Sequence, residues 1–178
     1  MRRLLVYASV VLSGMAAFLG TSLALGSGGD SLSSLPAGAL PTVSLSDNLK
    51  LALSNAIGAD AQATYGISDA SFSDVRTVAS TRRGILYAVP GSAGVCLVLA
   101  DVSACGDPNG MDSIVSLFVP TDTGSAVGGG IVPAGTPSVT LVQGAKKVTT
   151  RTVQGVFAVA ESDGLRADTS DLIGVTVE

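Results

Sequence analysis

The sequence predicts a mainly β fold, a single antiparallel sandwich or small barrel carrying one N-terminal helix. Three observations support this. From Val75 onward, nine short runs rich in Val, Ile, Thr and Phe follow one another. Gly, Pro, Asp and Asn punctuate them at short intervals. No long helical pattern separates the runs, which argues against a parallel, doubly wound sheet.

Composition sets the outer limits. Apolar residues form 47% of the 178-residue chain, enough for a sizeable core, while charged residues form only 13%. Hydroxyls and backbone therefore supply much of the surface polarity. The net charge is −4, and it becomes −6 once Arg2 and Arg3 are removed, leaving 8 basic against 14 acidic residues. A mildly acidic chain without a basic cluster is a poor match for phosphate backbones, so nucleic acid is not an expected partner. Histidine is absent, which rules out a Ser-His or Cys-His nucleophile and a His-ligated zinc site.

In chain order, residues 1–26 read as an export signal. Arg2 and Arg3 precede an uncharged run from Leu4 to Leu25. Ser22 with Ala24, or Ala24 with Gly26, offers small residues for cleavage. The run of 22 residues is also long enough to span a bilayer as an uncleaved signal-anchor, although Gly14, Gly20 and several hydroxyl residues weaken it as a stable span. Either way the remainder is expected outside the cytoplasm, with membrane contact only through this segment if it is uncleaved. Residues 27–43, rich in Gly, Ser and Pro, read as a flexible spacer.

Residues 44–58 read as an amphipathic helix. Leu45, Leu49, Leu53 and Ile57 recur every four residues, with Ala52 and Ala56 beside them. Ser44 or Ser46 is the N-cap and Gly58 the stop. Packing onto the following domain is the expected use of its apolar side. Asp60 to Asp74 shows no period and reads as a loop at the start of the strand-rich domain, residues 59–178.

Within that domain Pro90-Gly91 and Gly94 are expected to turn the first hairpin. Gly144 marks a tight reversal, and Asp163-Gly164 suits a two-residue hairpin turn. In GVCLVLA, Val95, Leu97 and Leu99 alternate with Cys96, Val98 and Ala100. Both sides are apolar, so this should be a central strand covered on both faces. KVTTRTV is polar on both sides, and its Lys147 and Arg151, with Lys146 beside it, suit a solvent-facing edge.

Chemistry-bearing groups are few. Cys96 and Cys105 form an even pair in a chain expected to be exported, so a structural disulfide is predicted, cross-strand or strand-to-loop. It needs Cα atoms about 4.4–6.8 Å apart. A redox or metal role would call for a Cys-x-x-Cys spacing or further ligands, and neither is present. Asp101, Asp107, Asn109 and Asp112 offer oxygen ligands to a cation in an acidic loop, 101–112. The spacing does not follow an EF-hand, and Asp-Pro-Asn-Gly is an ordinary turn. Gly128, Gly129 and Gly130 lack the following Lys-Ser/Thr and helix of a phosphate loop, so they mark a bulge or a close crossing of strands. Glu161, Asp163, Asp168 and Asp171 are the remaining acid–base option, which a glycosidase could use in pairs. Solvated turn residues are the better reading of these carboxylates. No catalytic residue, cofactor or metal ligand is assigned.

The segments GILYAVPGSAGVCLVL, SACG, GGIVPAGTPSVTLVQGAKKVTT and VQGVFAVA, taken in this order, resemble a group of exported proteins of high-GC Gram-positive (actinobacterial-type) bacteria. In that group a hairpin ending in Val-Cys-Leu-Val precedes a second Cys followed by Gly. A Gly-Val-Val-Pro stretch then leads to a strand ending in Asn-Val-Phe-Ala-Val. The resemblance covers about Val75 to Ala160 and departs at Gly155, where the group has Asn. It implies a shared fold and no particular activity.

The functional expectation is an exported, non-catalytic β-domain with a binding or structural role at the cell envelope, its partner an unknown protein or envelope component. The alternatives are a carboxylate-based hydrolase of envelope polysaccharide, with two carboxyls facing each other across a cleft, and a membrane-tethered sensory or regulatory domain.

Overall fold

The computed structural model describes residues 40–107, 114–153, 155–167 and 172–177. Export segment 1–26 and most of spacer 27–43 lie outside them. Helix α1 spans Asp47–Ile57 and α2 spans Ala59–Tyr65, with a 3-10 turn at Asp69–Ser73. Ten strands follow: β1 Arg76–Thr81, β2 Gly84–Gly91, β3 Gly94–Leu99, β4 Val102–Gly106, β5 Val115–Pro120, β6 Ala126–Ile131, β7 Ser138–Gln143, β8 Lys146–Arg151, β9 Val156–Val159 and β10 Gly174–Val177. They form three antiparallel sheets, ordered β1-β2-β3-β4, β5-β6-β9 and β10-β7-β8. The arrangement is an antiparallel sandwich. Among the described residues no sheet closes into a barrel.

Helix α1 forms where its caps predict. The Ser46 hydroxyl accepts from Leu49 N at 3.3 Å. Gly58, at φ +77°, donates its N–H to Ser54 O. Ser103 Oγ of β4 donates to Ala56 O at 2.8 Å, satisfying a carbonyl at the helix end. Leu53 and Ile57 are buried against the sheet while Leu51 faces solvent, so the apolar side packs within the chain.

The expected loop at Asp60 to Asp74 is instead α2 and the 3-10 turn. Seven residues are too few to display a helical period, and Gly66 (φ +65°) ends α2. The fold therefore carries two α-helices ahead of the sheets rather than one. At the preceding end, Val43 N donates to Val75 O at 2.9 Å and Thr77 N to Pro41 O at 3.1 Å. The last residues of the expected spacer are thus held along the edge of β1.

β3 occupies an inner position of the four-stranded sheet and is covered on both faces. Val95, Leu97 and Leu99 enter the main core with Val115, Leu117, Phe118, Val139, Leu141 and Phe157. Cys96 and Val98 point the other way, into a second cluster with Leu53, Ile57, Ile67 and Phe72 of the helical layer. Helices, first sheet and the other two sheets thus stack as three layers. Ala100 does not continue the alternation. It lies exposed in the β3–β4 turn at φ +56°.

Three turn assignments change. The β2–β3 turn is Ser92-Ala93, with Pro90 paired to Val95 and Gly91 to Gly94 inside the ladder. Glycine is required there by close approach: a Cβ on Gly91 would lie 2.1 Å from Tyr65 O, and one on Gly94 2.6 Å from Gly106 O. Asp163-Gly164 forms no hairpin; it ends a 3-10 turn at Glu161–Asp163, with Gly164 at φ +66°. Strand β4, Val102–Gly106, occupies the start of the expected acidic loop, because small residues such as Ser103, Ala104 and Gly106 give little strand signal. Gly144, at φ +56°, turns β7 into β8 as expected, and β8 is an edge strand.

Candidate functional site

The Cys96–Cys105 bridge forms, with S–S 2.06 Å and Cα atoms 4.1 Å apart. The two residues are directly opposed in the β3–β4 ladder, so the bridge is cross-strand. The separation falls just under the usual disulfide range and near the ~4.5 Å of the narrow pairs in an antiparallel ladder. Cys96 is fully buried and Cys105 packs against the same helical cluster. The bridge ties an inner strand to an edge strand beneath α1.

A shallow cleft of about 120 Å³ opens at one end of the sandwich, lined by Arg82, Arg83, Thr121, Asp122, Thr123 and Glu161. Three connections build it. Arg82-Arg83 forms the two-residue β1–β2 turn, fixed by Thr81 Oγ1, which accepts from Arg83 N at 3.0 Å and donates to Gly84 O at 2.9 Å. The β5–β6 loop is closed by Gly124 N donating to Thr121 O at 2.9 Å and Thr121 N to Ser125 O at 2.8 Å. The third is the 3-10 turn after β9, where Asp163 Oδ2 accepts from Ala160 N at 2.7 Å.

Glu161 joins all three connections. Its Oε2 accepts from Arg82 Nη1 at 2.7 Å and its Oε1 from Thr123 Oγ1 at 3.2 Å. Thr121 and Thr123 share a hydroxyl contact at 2.9 Å. Arg83 Nη1 stands 3.8 Å from Asp122 Oδ1, whose side chain is fully exposed. The Arg82 hydrogen bond, and then that of Thr121, hold the Glu161 carboxyl below its ordinary range, against a smaller opposing effect of desolvation. The same partnership raises the Arg82 guanidinium above its ordinary value. Glu161 is therefore a fixed anion at neutral pH and a poor proton donor. The cleft falls well below the roughly 300–1,000 Å³ of small-molecule pockets and has the size for a small ion or one polar group.

Of the carboxylates considered from sequence, Glu161 and Asp163 fall on one turn. Glu161 is engaged with Arg82 and Asp163 with backbone, so they do not face each other across a cleft. Asp168 and Asp171 lie outside the described residues. So do Asn109 and Asp112 of the acidic loop, and among the described residues no three His, Cys, Asp or Glu side chains gather to hold a metal ion. Gly129 and Gly130 sit at a close crossing, where a Cβ on Gly130 would lie 2.3 Å from the Phe157 ring. The Arg82–Glu161 contact was not legible from sequence because 79 residues separate the partners. Only the Arg-Arg-Gly interruption between two strands signals a turn there.

No helix among the described residues is long and apolar enough to cross a membrane, and the run Leu4 to Leu25 lies outside them. Compared with known proteins, the chain matches no family model, no curated protein and no solved structure.

Proposed function

We propose that this chain is an exported β-domain that acts by binding, or as a structural part, at the cell envelope, without a catalytic step of its own. The observation that carries the reading is the Cys96–Cys105 bridge, buried between sheet and helices, because such bridges persist in oxidising compartments and are rare in the cytosol. Support also comes from the basic start and uncharged run of residues 1–26. Membership of the exported group that it resembles over residues 75–160 belongs to the same proposal.

The carboxylate-hydrolase reading has less behind it. Asp122 and Glu161 do line one cleft, but Arg82 keeps Glu161 anionic, whereas a glycosidase acid needs a raised pKa.

Fractionating the cells that make the full chain, with thiol-reactive mass tagging before and after reduction, tests the proposal. We expect the protein outside the cytoplasm with both thiols blocked until reduction. A cytoplasmic protein with two free thiols overturns it. Intact mass of the exported form decides between a cleaved and a retained N-terminal segment.

A further inference from the structure

The two outer layers of the molecule carry opposite charge. From Asp47 to Asp74 the helical layer contains four aspartates, Asp47, Asp60, Asp69 and Asp74, against the single cation Lys50. On the far side of the first sheet, the sheet β10-β7-β8 contains Lys146, Lys147 and Arg151 and no acidic residue within its strands.

Register shows which of these residues face outward. Val139 and Leu141 of β7 enter the main core, joined by Val148 and Val175. Alternation then turns Thr140, Val142, Lys147, Thr149, Arg151 and Thr176 to the opposite, outer face, where Thr149 and Thr176 are exposed, Val142 is half-buried and Thr140 is buried. Thr176, Thr140 and Thr149 lie directly across from one another on three neighbouring strands. Thr140 Oγ1 is 2.8 Å from Thr149 Oγ1, and Thr176 Oγ1 donates to Thr140 O at 3.1 Å. Lys147 and Arg151 flank Thr149 on β8, about 13 Å apart at the rise of an extended strand. Both are exposed. Among the described residues neither has a carboxylate partner, whereas Arg76, Arg82 and Arg83 each have one.

Edge protection accounts for cations somewhere on β8. It does not account for strands free of acidic residues in an acidic chain, nor for the exposed Thr149 hydroxyl set between two cations that, among the described residues, have no carboxylate partner.

We propose that the outer face of β10-β7-β8 docks an anionic polysaccharide, with Lys147 and Arg151 pairing its carboxylates and the exposed hydroxyls of Thr149 and Thr176 meeting its hydroxyls. The proposal rests on the envelope reading above and adds the surface and the partner's chemistry. Charge complementarity selects a polyanion. The face carries no aromatic ring to stack a neutral sugar. Half-buried Val142 beside Lys147, even with exposed Val177 at the end of β10, is too little and too short for the apolar stripe that membrane-surface binding usually needs.

The test passes the intact chain over immobilised polygalacturonate, with dextran as the neutral counterpart and vesicles containing anionic phospholipid as the lipid arm. We expect retention by polygalacturonate at low salt and release by about 0.5 M NaCl, where the screening length shrinks to a few ångströms. Dextran and vesicles should not retain it. K147E/R151E should weaken binding to polygalacturonate at least tenfold, with K147Q/R151Q intermediate. K50E, which changes the net charge by −2 as K147Q/R151Q does but on the opposite layer, should bind like the parent. Near-UV circular dichroism should be unchanged in all three variants. Equal binding by K147E/R151E, no retention of the parent on polygalacturonate, or capture by dextran or vesicles alone overturns the proposal. Binding by a protein that proves cytoplasmic would remove the envelope reading and leave this surface standing, while an exported protein that fails to bind would do the reverse.

Discussion

At Gly130 a single missing methyl group decides how closely two parts of the core meet. The Phe157 ring lies over its backbone, and a Cβ there would also come within 2.9 Å of Val115 O. The neighbouring Gly129 admits Leu86 in the same way, its absent Cβ leaving room for Cδ2 2.9 Å away. Phe157 and Leu86 are both essentially inaccessible to water, so neither can swing into solvent. G130A should therefore destabilise by about 1–3 kcal/mol, the usual cost of overpacking a fixed core. Urea denaturation should show a lower midpoint with an unchanged slope. Glycine's special role in this segment was legible from the run Gly128-Gly129-Gly130, but the side chains filling the space were not, because Leu86 and Phe157 are far away in sequence.

Among the elements, the β3–β4 hairpin shows best what sequence alone conveys. The alternation in GVCLVL identified a strand apolar on both sides, and the paired cysteines fixed its neighbour in space. Yet β4 itself was hidden, because Val102-Ser103-Ala104-Cys105-Gly106 offers Val102 as its one strong β-former and no strict alternation. Tertiary pairing with β3 makes it a strand, and the bridge and the Ser103–Ala56 hydrogen bond hold it there. Helix α2 escaped detection for a related reason: its two turns gain their order from the β2–β3 turn, where Ala93 N donates to Tyr65 O and Ser92 N to Gly66 O. Replacing both cysteines by alanine should cost about 2–3 kcal/mol on the chain-entropy account of so short a loop. Equilibrium unfolding with and without reductant measures it. The parent should lose a similar amount on reduction, and the double variant should be indifferent to reductant.

Considered as a whole, the molecule has its layers locked at one end by Glu161. The carboxylate connects the β1–β2 turn of the first sheet to the β5–β6 loop of the β5-β6-β9 sheet. None of this was legible beforehand, since long-range ion pairs leave no periodic trace. The folded-state pKa of Glu161 is lowered, so its contribution to stability is present in full above the unfolded value of about 4.3. It is lost as pH falls through the lower, folded value. E161Q should therefore be less stable than the parent at neutral pH, with the difference closing as pH drops below about 4. Urea midpoints across pH 3–8 provide the check. High salt should narrow the neutral-pH difference, because the Arg82 side chain is 72% exposed.

The backbone bonds between Pro41, Val43 and the edge of β1 also have a mechanical meaning. If residues 1–26 remain as an anchor, any pull between anchor and domain passes along the chain into Leu40 to Val43. There the load meets the Val43–Val75 and Thr77–Pro41 bonds, together with the Arg76 guanidinium, which donates to Leu40 O at 3.1 Å. Arg76 is itself braced by Asp74. The strand edge would then act as a strain relief, taking up tension before it reaches the helices that cover the disulfide.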